Sequence, residues 1–315
     1  MEAGAPSVRM VAIDLDGTLL GLDGRVSRRN IAALQAAEET GIAVVIATGR
    51  RHRYALHVLQ ELGLRNDTLI VSSNGAVVRT FASELVERTL MDAASATWLC
   101  GYLGEFRNAL VITFDKVRPD GDEDRGALVI EELEGLHASI GRWMGQNAPY
   151  IAQVRPIEDS LKHEAPIQMM LCGTVERMRR AEALMLERGE MTAVGGQRQG
   201  ATISLARTEY PDRDLSLIDI LPAGCSKGTA LLRLAASRGI AASEIMAIGD
   251  NWNDLSMLEI AGHPVLMDNA PQDLKHMAAE RGWRTTSAHD LDGVADALLS
   301  FVPEMLTAGV DAGSK

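Results

Sequence analysis

Asp14 and Asp16 stand two positions apart at the end of a short apolar run, Val8 to Ile13. In an extended strand alternate side chains share a face, so the two carboxylates point the same way. Paired carboxylates can hold a divalent cation such as Mg²⁺, and one of them can attack phosphorus to give an aspartyl-phosphate. The cation matters because an anionic nucleophile must approach an anionic phosphate. Gly17 allows a sharp turn after the pair, and Thr18 adds a hydroxyl and backbone donors.

Small and polar residues recur at the ends of other apolar runs: Thr48-Gly49-Arg50, Ser73-Asn74-Gly75, Gly249-Asp250-Asn251 and Asp268-Asn269-Ala270. Open α/β sheets place their ligands at the C-terminal ends of strands. Turn chemistry accounts for glycine and asparagine there, but not for repeated carboxylates beside a threonine and an arginine. Lys227, at the start of a helical pattern, would by itself be an ordinary exposed lysine. Asp250 and Asp254 would by themselves be an acidic helix N-terminus.

The elements that must position these groups alternate along the chain, which predicts a parallel α/β sheet. Strands are expected at Val8 to Ile13, Ile42 to Ala47, Leu69 to Val71, Ile245 to Ile248 and Pro264 to Met267. Helices are expected from Arg28 to Thr40, with Ser27 as N-cap and Gly41 just past the end, and from His52 to Leu62. A third, capped by Ser226, runs to Ser237. Between Met91 and Leu221 apolar runs such as Ala109 to Phe114 and Ile167 to Cys172 lack acidic residues at their ends. An amphipathic helix is expected from Val175 to Arg188, and a glycine-rich loop from Thr192 to Gly200. The expected domains are an α/β core, residues 1–90 and 217–315, and an inserted α+β domain, residues 91–216. The tail from Thr307 to Lys315 is expected to be disordered.

Composition narrows the function class. The 315 residues carry a formal charge of −12, which argues against a nucleic-acid partner. No signal-peptide core precedes Arg9, and no apolar stretch approaches the roughly 20 residues that cross a bilayer. A cytoplasmic protein with no membrane partner is expected. Cys100, Cys172 and Cys225 show no metal or redox spacing and read as buried small hydrophobes.

The string Asp14-Leu15-Asp16-Gly17-Thr18-Leu19-Leu20 resembles the first motif of the haloacid dehalogenase superfamily. Thr48-Gly49-Arg50, Ser226-Lys227-Gly228-Thr229 and Gly249-Asp250-Asn251-Trp252-Asn253-Asp254 are similar to its second, third and fourth. The resemblance implies a doubly wound, Rossmann-like core. It also implies Asp14 as nucleophile and Asp16 as general acid, then base. Thr48 and Lys227 complete the implied catalytic set, with Lys227 neutralising nucleophile and phosphate. Leu15, Thr48, Gly49, Arg50, Lys227 and Asn253 are implied as phosphate- or substrate-binding. Asp14, the backbone carbonyl of Asp16, and Asp250 are implied as Mg²⁺ ligands, with Asp254 orienting the metal site or Lys227.

The interval from Asp14 to Thr48 is too short for a cap domain, whereas that from Thr48 to Lys227 is ample. With Asp268-Asn269-Ala270, Lys275 and Asp292-Gly293-Val294, this is similar to the Cof-type phosphatases. A cap closing over a small phosphorylated metabolite is then expected, with sugar phosphates first and pyridoxal phosphate or flavin mononucleotide as alternatives. A phosphomutase or phosphotransferase on the same core, or a regulatory protein binding a phosphorylated ligand without turnover, would carry much the same motifs. Gly195, Gly196 and Gly200, or Pro119 to Asp124, are cap segments that could meet the leaving group. Otherwise Arg51-His52-Arg53 reads as a solvated helix start, Pro119 to Asp124 as an exposed loop without EF-hand spacing, and Trp98, Trp143, Trp252 and Trp283 as packing residues. Oligomeric state is not encoded in any of these features.

Overall fold

A computed structural model describes residues 8–132, 141–193 and 199–301, apart from the side chains of residues 142 and 143. Gly195, Gly196, the Trp143 side chain and the tail from Thr307 lie outside the described residues. The chain forms two compact units, one of residues up to Glu84 and from Lys227 onward, the other spanning Leu85–Ser226.

The first unit begins with β1 (Met10–Ile13), α1 (Arg28–Glu39), β2 (Ala43–Ala47), α2 (His52–Leu59), β3 (Leu69–Ser72) and β4 (Val77–Thr80). The second contains β5 (Leu85–Arg88), α3 (Ala93–Tyr102), β6 (Leu110–Thr113), β7 (Leu128–Ile130), α4 (Gly141–Asn147) and β8 (Ile151–Gln153). It continues with β9 (Gln168–Gly173), α5 (Val175–Leu186), β10 (Met191–Ala193), β11 (Ile203–Tyr210) and β12 (Leu215–Pro222). The first unit resumes with α6 (Lys227–Ser237), β13 (Ile245–Gly249), α7 (Leu255–Ile260) and β14 (His263–Met267). It ends with α8 (Gln272–Glu280), β15 (Arg284–Thr286) and α9 (Gly293–Phe301).

In the first unit the sheet order is β15-β14-β13-β1-β2-β3-β4. Every neighbouring pair is parallel except β3 with β4. β1 is central, and the chain winds outward from it in both directions. Alternation along the strands serves two apolar layers. Val11, Ile13, Val44 and Ile46 pack with Ala33 and Leu34 of α1, Leu59 of α2 and Val294 and Leu298 of α9. Met10, Ala12, Val45 and Ala47 face the other way, onto Leu231 and Leu234 of α6, Met257 of α7 and Leu274 of α8. Strands covered on both faces need unbroken apolar runs, which is why they read as such in the sequence. The strand ends are thereby left to polar residues.

Local signals set the boundaries. The Ser27 side chain accepts the Asn30 N–H to cap α1, which ends at Thr40 before Gly41, at φ +83°. The second predicted helix is shorter than expected, giving way after Leu59 to a 3₁₀ turn that Gly63 closes in the left-handed region.

The second unit has a mixed sheet in the order β10-β11-β12-β9-β6-β7-β8. Long antiparallel pairings of β11 with β12 and β12 with β9 form its centre. One face packs Ile112, Met169, Leu171, Ile218 and Ile220 against Leu99 and Cys100 of α3 and Met178 and Met185 of α5. Arg107 ties Glu131 to Glu158, with NH1 2.6 Å from Glu158 Oε1 and NH2 3.0 Å from Glu131 Oε1. The glycine-rich segment is not loop throughout: Thr192 and Ala193 belong to β10, which pairs with β11. Trp98 departs from its expected packing role, being 38% exposed and stacked on Tyr102 with Arg188 over both rings. Burial pushes the Cys100 and Cys172 thiols up to about 12. No helix among the described residues is long and apolar enough to cross a membrane.

Candidate active site

The site is assembled at the C-terminal ends of β1, β2, β3 and β13. The Asp14 N–H donates to the Ile248 carbonyl at 3.0 Å, so the β1–β13 ladder holds Asp14 to its last hydrogen bond. Its carboxylate is buried, and Lys227 Nζ donates to Oδ1 at 2.5 Å. That leaves Oδ2 as the oxygen available to phosphorus or a cation. Gly17 follows at φ +79°, and a Cβ there would lie 2.5 Å from Asp250 Oδ2. Only glycine lets this loop pass the Asp250 carboxylate.

Lys227, the first residue of α6, is fully buried between two carboxylates, with Nζ 2.6 Å from Asp254 Oδ1. Asp254 is in turn fixed through Oδ2, which accepts the N–H groups of Asp250 and Asn251 at 3.0 Å each. A Cβ on Gly228 would meet the Ser256 carbonyl oxygen at 2.2 Å, so this glycine allows α6 to approach α7 closely enough for the contact. Asp250 Oδ1 accepts the Thr18 hydroxyl at 3.0 Å.

The charges in this pocket do not balance by themselves. Carboxylate oxygens of Asp14, Asp250 and Asp254 lie within 4.8 Å of one another, all three residues buried. Burial pushes the Asp14 carboxyl up to about 7, Asp254 adds to the rise, and the Lys227 ammonium opposes it. Burial likewise raises Asp250 well above the carboxylate range, helped by Asp14 and Asp254 and opposed by the Thr18 hydroxyl. Burial works against the charge on Lys227, but Asp14 and Asp254 outweigh it and hold the ammonium above the usual lysine range. Ionised together, three carboxylates against one ammonium would leave two negative charges, which a divalent cation matches. The all-oxygen donor set suits a hard cation. Asp254 is committed to the Lys227 ammonium and two backbone N–H groups, so Asp14 and Asp250 are the side chains that fit it.

Asp16 does not join this cluster. Its side chain turns to Arg50, whose Nε donates to Oδ2 at 2.6 Å while NH2 bonds Oδ1. The guanidinium also covers the Tyr54 ring at 4.4 Å. Leu15 is fully buried, so it can offer a ligand only its backbone. Thr48 is held by backbone bonds to Val71 and Asn74, and its Oγ1 accepts the Arg50 N–H at 3.1 Å. The hydroxyl proton can then be donated elsewhere. Asn253 reaches the same corner and donates to Asn74 Oδ1 at 3.3 Å. A Cβ on Gly49 would lie 3.2 Å from Asn74 Nδ2, which keeps this corner tight.

Asn74 was not among the predicted site residues. Its signal was present: an Asn-Gly pair at a strand end, with Asn74 left-handed at φ +51°. Arg51 and His52 also depart from expectation, being 7% and 2% exposed rather than solvated. His52 Nε2 lies 3.2 Å from Ser83 Oγ. In the second unit, Arg118 closes on Asp120, Asp122 and Asp124, and Glu123 is buried, so the acidic run is a self-paired loop. Trp252 and Trp283 pack at the edge of one apolar layer.

The family model for haloacid dehalogenase-like hydrolases matches residues 11–298. A 5-amino-6-(5-phospho-D-ribitylamino)uracil phosphatase of Bacillus subtilis, YwtE, is 30% identical over 93% of this chain and 99% of its own. Phosphatase YwpJ of the same organism is 30% identical over 91% of this chain and 98% of its own. A solved haloacid dehalogenase-like hydrolase from B. subtilis superposes with a TM-score of 0.71 at 26% identity, covering 92% and 99% of the two chains.

Proposed function

The chain belongs to the haloacid dehalogenase-like hydrolase family, and on that premise we propose that it is a Mg²⁺-dependent phosphatase acting through Asp14. One observation carries the reading: a buried Asp14 carboxylate is gripped on one oxygen by Lys227, with the Asp250 carboxylate close by. Mg²⁺ held by Asp14, Asp250 and the Asp16 carbonyl would supply charge neutralisation between nucleophile and phosphate.

Asp14 Oδ2 attacks the substrate phosphorus, forming an O–P bond as the ester O–P bond breaks. Lys227 keeps the attacking carboxylate oriented and offsets its charge. The Thr48 hydroxyl, the backbone of Leu15 and Gly49, and Asn253 donate to the phosphoryl oxygens. Once parted from Arg50, Asp16 takes up a proton from solvent and gives it to the leaving oxygen, then takes one from the water that attacks the aspartyl-phosphate. Inorganic phosphate leaves, and Asp14 is regenerated. Asp16 and Arg50 must part first, and an incoming phosphate gives the Arg50 guanidinium a second anion to grip.

The substrate we propose is a small phosphorylated metabolite, a sugar or polyol phosphate. YwtE, by its name, acts on a phosphoribityl compound. The residues from Leu85 to Ser226 are proposed as the cap that selects the leaving group. Three cysteines, all buried as thiols, suit a reducing compartment and support a cytoplasmic site of action.

The test is a panel of sugar, polyol and flavin phosphates, assayed for Mg²⁺-dependent phosphate release with the wild-type chain and Asp14→Asn. Release that is lost in the variant is expected. An isomerised sugar phosphate as product would make it a mutase, and tight binding of phosphorylated ligands without turnover would make it a regulator. Full activity of Asp14→Asn would sink the mechanism.

A further inference from the structure

Asn269 lies outside the four motifs, in the turn after β14, yet its amide reaches two of them. Nδ2 donates to the Gly17 carbonyl at 2.8 Å and, at 3.5 Å, to Asp250 Oδ2. Oδ1 accepts the His289 N–H at 3.0 Å. These partners settle the orientation of the amide: turned over, its oxygen would face two acceptors and its NH2 group a donor. The His289 ring adds a second tie, with Nδ1 2.6 Å from the Leu20 carbonyl. The loop after β1 is therefore fastened at Gly17 and at Leu20 to the C-terminal part of the chain.

The Asp250 carboxylate is addressed on both oxygens, by the Thr18 hydroxyl on Oδ1 and by Asn269 on Oδ2. Two donors on opposite oxygens resist rotation of the group. A carboxylate that must present a lone pair to a cation benefits from such partners, since outer contacts orient inner ligands. The Gly17 carbonyl belongs to the loop that carries Asp14 and Asp16. One side chain thus sets the position of both halves of the donor set.

We infer that Asn269 is a positioning residue for the divalent cation, holding the Asp250 carboxylate in register with the loop of Asp14 and Asp16. It would act through Asp250 and the Gly17 carbonyl, and its role rests on the metal-dependent reading proposed above.

Mn²⁺ affinity, measured by electron paramagnetic resonance on metal-free protein, tests this in the wild type, Asn269→Ala and Asn269→Asp. Melting temperatures with and without Mn²⁺ accompany it. Asn269→Ala is expected to weaken Mn²⁺ binding about tenfold, with kcat at saturating metal falling less than the metal half-saturation rises. Asn269→Asp keeps the shape and the acceptor for His289 but turns a charge on Asp250. Its metal-free melting temperature should fall, and Mn²⁺ should raise it by more than in the wild type. Unchanged Mn²⁺ affinity in a folded Asn269→Ala protein overturns the inference. If the alanine variant does not fold, an Asn269→Asp protein that melts like the wild type in both conditions overturns it. A wild-type chain that binds no Mn²⁺ sinks the metal-dependent reading and this inference together, so the two failures are distinguishable.

Discussion

Arg50 grips Asp16 along two edges of its guanidinium, Nε to Oδ2 at 2.6 Å and NH2 to Oδ1, while stacking on Tyr54. A bidentate pair of this kind fixes the plane of the carboxylate as well as its position, which an ammonium does not do. Asp16 is accordingly held in one orientation at the mouth of the site, beside the buried carboxylates rather than among them.

Replacing Arg50 by lysine should therefore be costly despite the kept charge. A fall in kcat/KM of about 100-fold is expected for Arg50→Lys, because an ammonium cannot grip the incoming phosphate along two edges once Arg50 has released Asp16. Steady-state kinetics on an aryl phosphate would measure it. Wild-type kinetics in Arg50→Lys would show that the paired geometry is dispensable.

Lys227 bridges the buried carboxylates of Asp14 and Asp254, beside Asp250. Lys227→Met should cost about 3–5 kcal/mol in stability, because it leaves two buried carboxylates unpaired. Asp14→Asn has the opposite sign, since it removes a like charge and keeps the Lys227–Asp254 pair. Its metal-free form should unfold at equal or higher urea than the wild type. Both are read from urea denaturation in the presence of chelator, and activity should be absent in each.

A divalent cation bound by the folded chain alone should stabilise it. Mg²⁺ at 100 times its dissociation constant should add about 2.7 kcal/mol to unfolding. Chelation should remove both this gain and phosphate release. Asp250→Asn should lack the metal-induced shift in melting temperature while remaining folded. A full-sized shift in that variant would place the cation elsewhere.

In the inserted unit, hydrogen bonds from Arg107 hold Glu131 and Glu158 below the usual carboxylate range. Because the folded values are depressed, their stabilising effect is complete above the ordinary value of 4.5 and fades as pH falls through the folded ones. Arg107→Ala should destabilise the protein by roughly 1–2 kcal/mol at pH 7, the partly exposed pair being screened by solvent. The gap between variant and wild type should narrow in melts near pH 3. A gap that stays constant with pH would assign the effect to lost packing.

The core was legible because its strands are buried on both faces and must be apolar throughout, so polar residues at their ends stand out. Asp14, Thr48 and Asp250 were visible for that reason. What stayed hidden depends on which side chains turn toward each other. Nothing in the sequence says that Arg50 chooses Asp16, or that Asn74 takes a left-handed backbone to receive Asn253. The burial of Arg51 and His52 was missed because a run of basic residues carries no periodicity to betray an inward face. Asn269 was noted only as part of a string, since its partners at Gly17 and Asp250 are remote in the chain.

The inserted unit ends at Ser226, and the next residue is Lys227. Exchanging inserts between relatives therefore has one seam after Glu84, just before β5, and one beside the lysine. A splice that slips by one residue at the second would turn the ammonium about 100° around the helix axis. Such a chimera could fold with the Asp14 carboxylate left without its ammonium. Recombination in this architecture has to be phased to a helix turn.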